Sequence, residues 1–406
     1  MPKFNRLKDC VVTNKNVIVR VDINVPIVNN VIEDDTRIKA IIPTLKYLAE
    51  NQAKVIVIAH FGRPEIKPDG SFDQASSLSQ LMPRLKELLS PIKISFVDDC
   101  FKESTRQAVN NANYGEIILL ENLRYYKQET KNEPEFSRFL ASLGNLYVND
   151  AFSCSHRAHA SITGIPALLK SCAGFQMEVE LDNLTNLLEN PQKPIIAMVG
   201  GAKVSTKIDL LNALSTKVKA IVVGGGMANT FLYATGKNVG KSLCEKDLKQ
   251  TALDILKNAK ENNCEIILPM DAVVAKEFKA HAPNATKSVN QINDDEIILD
   301  IGEETIKLIQ EKLLNFKTVI WNGPLGAFEI EPFHLGTKAI AHSIASLTKA
   351  GNILSIAGGG DVVSAINSAN LALDFTYIST AGGAFLEWLE GKVLPGILAL
   401  NQKNLG

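Results

Sequence analysis

The sequence predicts an α/β protein of two doubly wound (Rossmann-like) parallel-sheet domains, separated by a cleft and joined by a helix. Short β-branched and aliphatic runs alternate with amphipathic helical segments along the whole chain. Most of those runs are apolar at every position, as a parallel strand covered on both faces requires. The 406 residues leave room for two or three domains at a prior of about 150 residues each.

In the first half the candidate strands are Val17–Asn24, Lys54–His60, Ile92–Asp98, Glu116–Asn122 and Leu146–Asp150. Asp34-Asp35-Thr36 opens a helix whose apolar stripe is Ile38, Ile41, Ile42, Leu45 and Leu48, with Pro43 inside it as a weak point. Glu178–Glu189 reads as a helix with Val179, Leu181, Leu184, Leu187 and Leu188 on its apolar side; Asn190-Pro191 stops it and Pro194 opens the next strand. That segment, residues 173–192, is expected to bridge a first domain over 1–172 and a second over 193–391. In the second half the strands read as Pro194–Gly200, Ala220–Gly224, Glu265–Met270, Thr318–Asn322 and Ile353–Gly358, with a last one ending at Ser379; helices fit at Lys246–Asn262 and Glu303–Leu314.

Hydrophobic residues make up 46% of the chain and charged residues 21%, enough for a real core, and the net charge of -1 argues against a general nucleic-acid binder. The start MPKFNRLKDC lacks the apolar stretch of a secretory signal, and no apolar run approaches the ~18 residues of a membrane span. The six cysteines are scattered without a C-x-x-C, so reduced thiols in a cytoplasmic protein are expected.

In open α/β sheets, ligands bind beyond the carboxyl ends of the strands. In the first half those ends carry Asp22-Ile23-Asn24, His60-Phe61-Gly62-Arg63-Pro64, Asn122-Leu123-Arg124 and Asp150-Ala151-Phe152, then Ser155-His156-Arg157-Ala158-His159. Arg37 stands in the first turn of a helix, where free N–H groups and the dipole favour an anion. Any one arginine reads as a solvated surface residue. Arg37, Arg63, Arg124 and Arg157 at one rim of one sheet read as a site for a small molecule with phosphate and carboxylate groups, which guanidinium grips bidentately. His60, His156 and His159 fit phosphohistidine or metal chemistry, and more simply serve as hydrogen-bond donors there.

In the second half glycine follows the strands: Gly200-Gly201-Ala202-Lys203 through Lys207, Gly224-Gly225-Gly226, Asn322-Gly323-Pro324 through Glu329, Gly358-Gly359-Gly360-Asp361, and Ser379 through Gly382-Gly383. Such turns let backbone N–H groups reach phosphates. Gly224-x-Gly226-x-x-Asn229 lacks the third glycine of the dinucleotide fingerprint, and no G-x-x-x-x-G-K-[ST] occurs. Lys203 and Lys207, four apart, are expected on one helical face toward a phosphate chain. Asp361 suits a magnesium ligand, a helix N-cap, or both. Glu329 is a candidate for ribose hydroxyls.

Together these stretches resemble the phosphoglycerate kinase family. The resemblance runs through Arg20–Pro26, Asp35–Ile38, His60–Pro64, Glu121–Arg124, Asn149–Phe152, Gly200–Lys207, Gly224–Phe231, Trp321–Glu329, Gly358–Asp361 and Glu387–Pro395, in the family's order. It implies binding of 3-phosphoglycerate or 1,3-bisphosphoglycerate by Asp22, Ile23, Asn24, Arg37, His60, Phe61, Gly62, Arg63, Arg124 and Arg157. It implies binding of ADP or ATP with Mg2+ by Gly200, Gly201, Lys203, Lys207, Gly225, Asn322, Pro324, Glu329, Gly359, Gly360, Asp361 and Val362, with Asp361 on the metal. Lys392–Gly406 would return to the first domain, which becomes 1–172 plus 392–406, and a monomer acting without nucleic acid or membrane is expected.

The chain departs from the family's usual pattern at Ser153-Cys154, where Gly-Thr is common, at Val362 in place of Thr or Ser, and at Ala381 in place of glycine. Direct in-line transfer without a phosphoenzyme is expected, with hinge closure about the linking helix. Arg37 and Lys203 would stabilise the moving group, and N–H donors after Gly359 and Gly382 would add to them. The competing readings are a dinucleotide-dependent dehydrogenase and a two-lobed binding protein without turnover.

Overall fold

A computed structural model describes residues 4–29, 31–64, 72–189, 191–379 and 381–401. Asn190, Thr380 and residues 402–406, on which parts of the sequence reading fall, lie outside the described residues. The chain divides into two compact units, Met1–Thr185 with Val393–Gly406, and Asn186–Lys392. Each is a mixed α/β unit built on a six-stranded parallel sheet.

The first sheet contains β1 (Asn16–Val21), β2 (Lys54–Ile58), β3 (Ile94–Val97), β4 (Ile117–Leu120), β5 (Leu146–Asp150) and β6 (Ser171–Ala173), in spatial order β3-β4-β2-β1-β5-β6. β1 is central: Arg20 pairs with Ile58 on one side and Asn149 on the other. Alternate residues of β1 feed two cores. Val17, Val19 and Val21 join one with Ile38, Leu45 and Leu48 of helix Thr36–Glu50; Ile18 joins the other with Phe136, Leu140 and Tyr147. Burial on both faces explains the uninterrupted apolar runs. Helix Thr36–Glu50 runs through Pro43, and the Asp34 carboxylate accepts from Thr36 N at 2.8 Å to satisfy its first turn.

The second sheet contains β7 (Ile195–Val199), β8 (Ala220–Val223) and β9 (Glu265–Ile267). Three antiparallel strands follow, β10 (Asp271–Ala275), β11 (Asn284–Ser288) and β12 (Ile297–Ile301), and make a small separate sheet in the order β11-β10-β12. Then β13 (Thr318–Asn322), β14 (Leu354–Gly358) and β15 (Tyr377–Ser379) complete the main sheet, ordered β9-β8-β7-β13-β14-β15. Chain direction across the sheet reverses between β1 and β5 in the first unit and between β7 and β13 in the second. Those crevices are where an open α/β sheet takes its ligand.

The strand cores lie where the runs predict them, and Leu146–Asp150 and Thr318–Asn322 match at both ends, whereas other runs overshoot. Val17–Asn24 stops as a strand at Val21, which frees Asp22-Ile23-Asn24 as loop. Glu265–Met270 stops at Ile267, because Pro269 offers no N–H for a ladder and the chain turns into β10. Lys246–Asn262 is a 3-10 turn, Lys246–Leu248, followed by helix Lys249–Glu261. In sequence after β6, a helix spans Phe175–Glu189; Asp150 and Thr44 receive its first N–H groups, from Met177 at 3.0 Å and Phe175 at 3.0 Å. Helix Pro395–Leu400 packs in the first unit, where Gly396 N donates to Ser155 O at 2.8 Å. Among the described residues no helix is long and apolar enough to cross a membrane.

Candidate active site

In the first unit the ends of β1, β2, β4 and β5 converge. Arg37 Nη1 donates to Asp22 Oδ2 at 2.9 Å and to Asn24 O at 3.2 Å. Asn24 N returns to Asp22 Oδ1 at 3.1 Å, and Gly62 N donates to Asn24 Oδ1 at 2.8 Å. Ser153 Oγ also donates to Asp22 Oδ2, so the serine at a usual glycine position is tied into the site. Asn122 braces the floor: its amide donates to Phe61 O and Ser76 O at 2.7 and 2.8 Å and accepts from Phe61 N and Arg124 N. Arg124 Nη1 donates to Gly62 O.

Beyond this frame Arg63, Arg124, Arg157, Thr130 and His159 line a cavity of 490 Å³. Burial and the neighbouring Arg157 bring Arg124 down to about 10, which leaves it charged at neutrality. Burial and Arg157 hold His159 down at about 4, and burial with Arg20, Arg124, Arg157 and Arg37 keeps His60 well below the ordinary imidazole range. The rim is therefore three guanidinium groups with the neutral His159 imidazole beside them, a shape for a small anion. The side chains of Ile23 and Phe61 are buried in the core, so only their backbone can reach a ligand. A metal on His60 Nδ1 is excluded by the Arg20 guanidinium facing that nitrogen at 3.1 Å.

In the second unit the glycine turns line up at the ends of β7, β8, β13 and β14. Gly200 N donates to Asn322 O at 2.8 Å and Gly225 N to Leu325 O at 2.9 Å, which draws three turns together. Gly225 (φ +66°) and Gly359 (φ +107°) adopt backbone that side chains rarely accept, each just before a helix, Gly226–Ala234 and Gly360–Ser368. Those helices aim free N–H groups outward. Lys207 Nζ donates to Asn322 Oδ1, whose amide donates to Gly358 O. Burial lowers Lys207, while Glu390 and Asp361 work to keep its proton.

The expectation of two lysines on one helical face is corrected. Lys203 precedes the 3-10 turn Val204–Thr206 and Lys207 caps helix Ile208–Ser215, because the chain leaves β7 through a glycine turn and reaches helical geometry late. Val362 is buried in the core, so it can offer only its N–H. Ala381 is 1% exposed, its methyl packed inside the unit.

A cavity of 720 Å³ opens beside these turns; Gly201, Gly225, Pro324, Glu329 and Asp361 line it as the sequence suggested. Its other wall, Leu243, Pro269, Phe278 and Ile298, was not foreseen, since apolar residues in a polar-ligand site carry no distinguishing pattern. Asp361 is exposed in the first turn of helix Gly360–Ser368. Among the described residues no group of three or more His, Cys, Asp or Glu gathers to hold a metal. A single carboxylate at the start of that helix suits Mg2+ that would take its remaining ligands from phosphate and water, and suits no all-protein cage.

Comparison with known proteins matches nearly the whole chain. The family model described as phosphoglycerate kinase matches residues 7–392. Relatives named phosphoglycerate kinase are 51% identical over 402 residues in Xanthobacter autotrophicus, covering 99% of this chain and 100% of the relative, and 52% identical over 404 residues in Methylorubrum populi, with the same coverage. The solved phosphoglycerate kinase of Coxiella burnetii superposes with a TM-score of 0.87 at 39% identity, covering 99% of this chain and 100% of that one. That of Pyrococcus horikoshii gives 0.83 at 30%, covering 98% of each.

Proposed function

The chain belongs to the phosphoglycerate kinase family, and from that premise we propose how its two units share the family's reaction. The activity is that of a phosphotransferase with a carboxyl acceptor: a phosphoryl group passes reversibly between 1,3-bisphosphoglycerate and ADP, in glycolysis. The first unit binds the acid. Asp22, Asn24 and Gly62 form the frame, Arg37 faces the transferring group, Arg63, Arg124 and Arg157 take the distal phosphate, and His60 donates to the acid. Ile23 and Phe61 contribute backbone. The second unit binds the nucleotide. Gly200, Gly201, Gly225, Asn322 and Pro324 shape the cavity, Glu329 takes ribose hydroxyls, and Lys203 and Lys207 meet the phosphates with N–H groups from Gly359, Gly360, Val362 and Gly382.

Asp361 would hold Mg2+ brought with the nucleotide, which would supply charge neutralisation. The attacking oxygen, carboxylate or diphosphate, is already ionised, so no general base is required. The residues act by positioning and by offsetting negative charge. In-line transfer requires reacting atoms about 3–3.5 Å apart, so turnover includes a step that unites acid and nucleotide. We place the enzyme in the cytoplasm as a monomer.

The observation that supports this reading best is the segregation of chemistry: arginines round 490 Å³ in one unit, and glycine turns with the exposed Glu329 and Asp361 round 720 Å³ in the other. The test is a coupled assay of ATP formation from 1,3-bisphosphoglycerate. Arg63→Ala should raise KM for 3-phosphoglycerate about tenfold or more with KM for ATP unchanged. A chain that binds both ligands without turnover, or a variant that loses ATP affinity instead, would sink it.

A further inference from the structure

Behind the basic rim lies a guanidinium that the site above does not use. Arg20 is 1% exposed on central strand β1. Its Nε donates to Ser161 Oγ at 2.9 Å, its Nη1 to Val21 O, and its Nη2 lies 3.1 Å from His60 Nδ1 and 3.5 Å from Cys154 Sγ. Ser161 belongs to a single π-helical turn, Ala160–Gly164. Its N–H and its Oγ donate to the two oxygens of Glu129 at 2.9 and 2.6 Å, and Tyr147 OH donates to its carbonyl at 2.6 Å. Glu129 is also 1% exposed. One hydroxyl thus accepts from the buried cation and donates to the buried carboxylate, so each charge has its counterpart within the core.

This wiring has a consequence for His60. Guanidinium is a donor only and keeps its protons in proteins. Nδ1 must therefore accept, and the ring's single proton sits on Nε2. The opposite tautomer would set two hydrogens against each other at 3.1 Å. Arg20, Arg124, Arg157 and Arg37 all act on the ring and discourage a second proton. Among the described residues Nε2 meets no hydrogen-bond partner.

We propose that Glu129, Ser161 and Arg20 form a positioning relay that locks His60 as its neutral Nε2–H tautomer, an uncharged directional donor for an oxygen of the acid. The proposal rests on the assignment of the acid to the first unit. Arginines alone attract an anion without choosing among its rotations; one fixed N–H in their midst selects which oxygen faces inward. Arg20 and Glu129 touch no substrate in this scheme and act only through the ring.

The experiment uses the full chain labelled with 15N-histidine. Long-range 1H–15N correlations at neutral pH should show His60 Nδ1 unprotonated and Nε2 protonated, and 3-phosphoglycerate should move the Nε2–H signals. Arg20→Met, which has no donor, should release the tautomer and raise KM for 3-phosphoglycerate about tenfold, with KM for ATP unchanged. Because it strands a buried carboxylate, the double variant Arg20→Met/Glu129→Gln, which removes both charges, is measured beside it. Arg20→Lys, which retains a donor, should keep the wild-type tautomer.

A wild-type His60 protonated on Nδ1, or doubly protonated, overturns the relay. So does an unchanged tautomer in the double variant. Correct tautomer with signals indifferent to 3-phosphoglycerate, in an enzyme that still turns over, instead overturns the assignment of the acid, and with it the donor's role.

Discussion

Gly200→Ala offers a direct reading of how tightly the nucleotide turns are interlocked. A Cβ at Gly200 would fall 1.8 Å from the Pro324 carbonyl oxygen, 2.7 Å from its carbon and 2.8 Å from Gly323 O. All three are backbone atoms, so no rotamer relieves the clash. Real Cβ contacts essentially never lie under 3.0 Å, so the turn at Gly323-Pro324 must retreat by about 1.2 Å, the difference between 3.0 and 1.8 Å. That retreat stretches the 2.8 Å bond from Gly200 N to Asn322 O and carries Asn322 away from Lys207 and Gly358.

Overpacking costs about 1–3 kcal/mol and a disturbed hydrogen bond about 1 kcal/mol more. In a unit of this size each kcal/mol is roughly 2–4 °C. Calorimetry should therefore show the transition of the second unit lowered by roughly 5–15 °C, with KM for ATP raised and KM for 3-phosphoglycerate unchanged. Gly360→Ala is the companion: its Cβ meets nothing within 4 Å. Stability should hold while KM for ATP rises, because the methyl stands where phosphates would approach. Wild-type Tm in Gly200→Ala would refute the packing argument, and wild-type KM in Gly360→Ala would refute the phosphate assignment.

Asp361→Asn removes an exposed carboxylate, so titration should find Mg-nucleotide affinity reduced with Tm unchanged; equal affinity would remove Asp361 as the metal ligand. Ser153→Ala leaves Asp22 with Arg37 and Asn24 N but without a hydroxyl donor. Chemical denaturation should show a loss of about 1 kcal/mol, with a raised KM for the acid, and a more stable variant would contradict this. His159, held at about 4, lies below its unfolded value of about 6.5. Between those values the unfolded chain binds more protons than the folded one, so acidification costs stability in that window and the cost levels off below it. His159→Gln should flatten the pH dependence of Tm from about 6.5 to 4; an unchanged slope would contradict the burial argument.

The main sheets were legible because both faces are buried, and burial writes itself as runs such as Val17–Val21 and Ile195–Val199. The small sheet was not. Strand β11 is Asn-Ala-Thr-Lys-Ser and largely exposed, so no hydrophobic period marks it; in the first main sheet β6 was missed as well, because it has only three residues. The arginines and glycines of the site stood out because strand ends are adjacent in space once a parallel sheet is assumed. Arg20, Glu129 and Ser161 did not, since they are 141 residues apart at their widest contact and meet through packing alone. Arg20 entered only as the first residue of the Arg20–Pro26 stretch, which does not reveal its partners. The Lys203–Lys207 pair was misread because a 3-10 turn and a helix share their first few residue preferences.

The helix at Pro395–Leu400 gives the first unit a peculiar birth. Its anchor, Gly396 on Ser155, joins residues roughly 240 positions apart. At about 5–20 residues per second, a ribosome needs about 12–48 s to deliver the second after the first. Throughout that interval the nascent amino-terminal half waits without its last piece, with Ile162 and Ser155 lacking the backbone that finally rests on them. The emergence of Gly396, rather than that of its own sheet, is what closes that half.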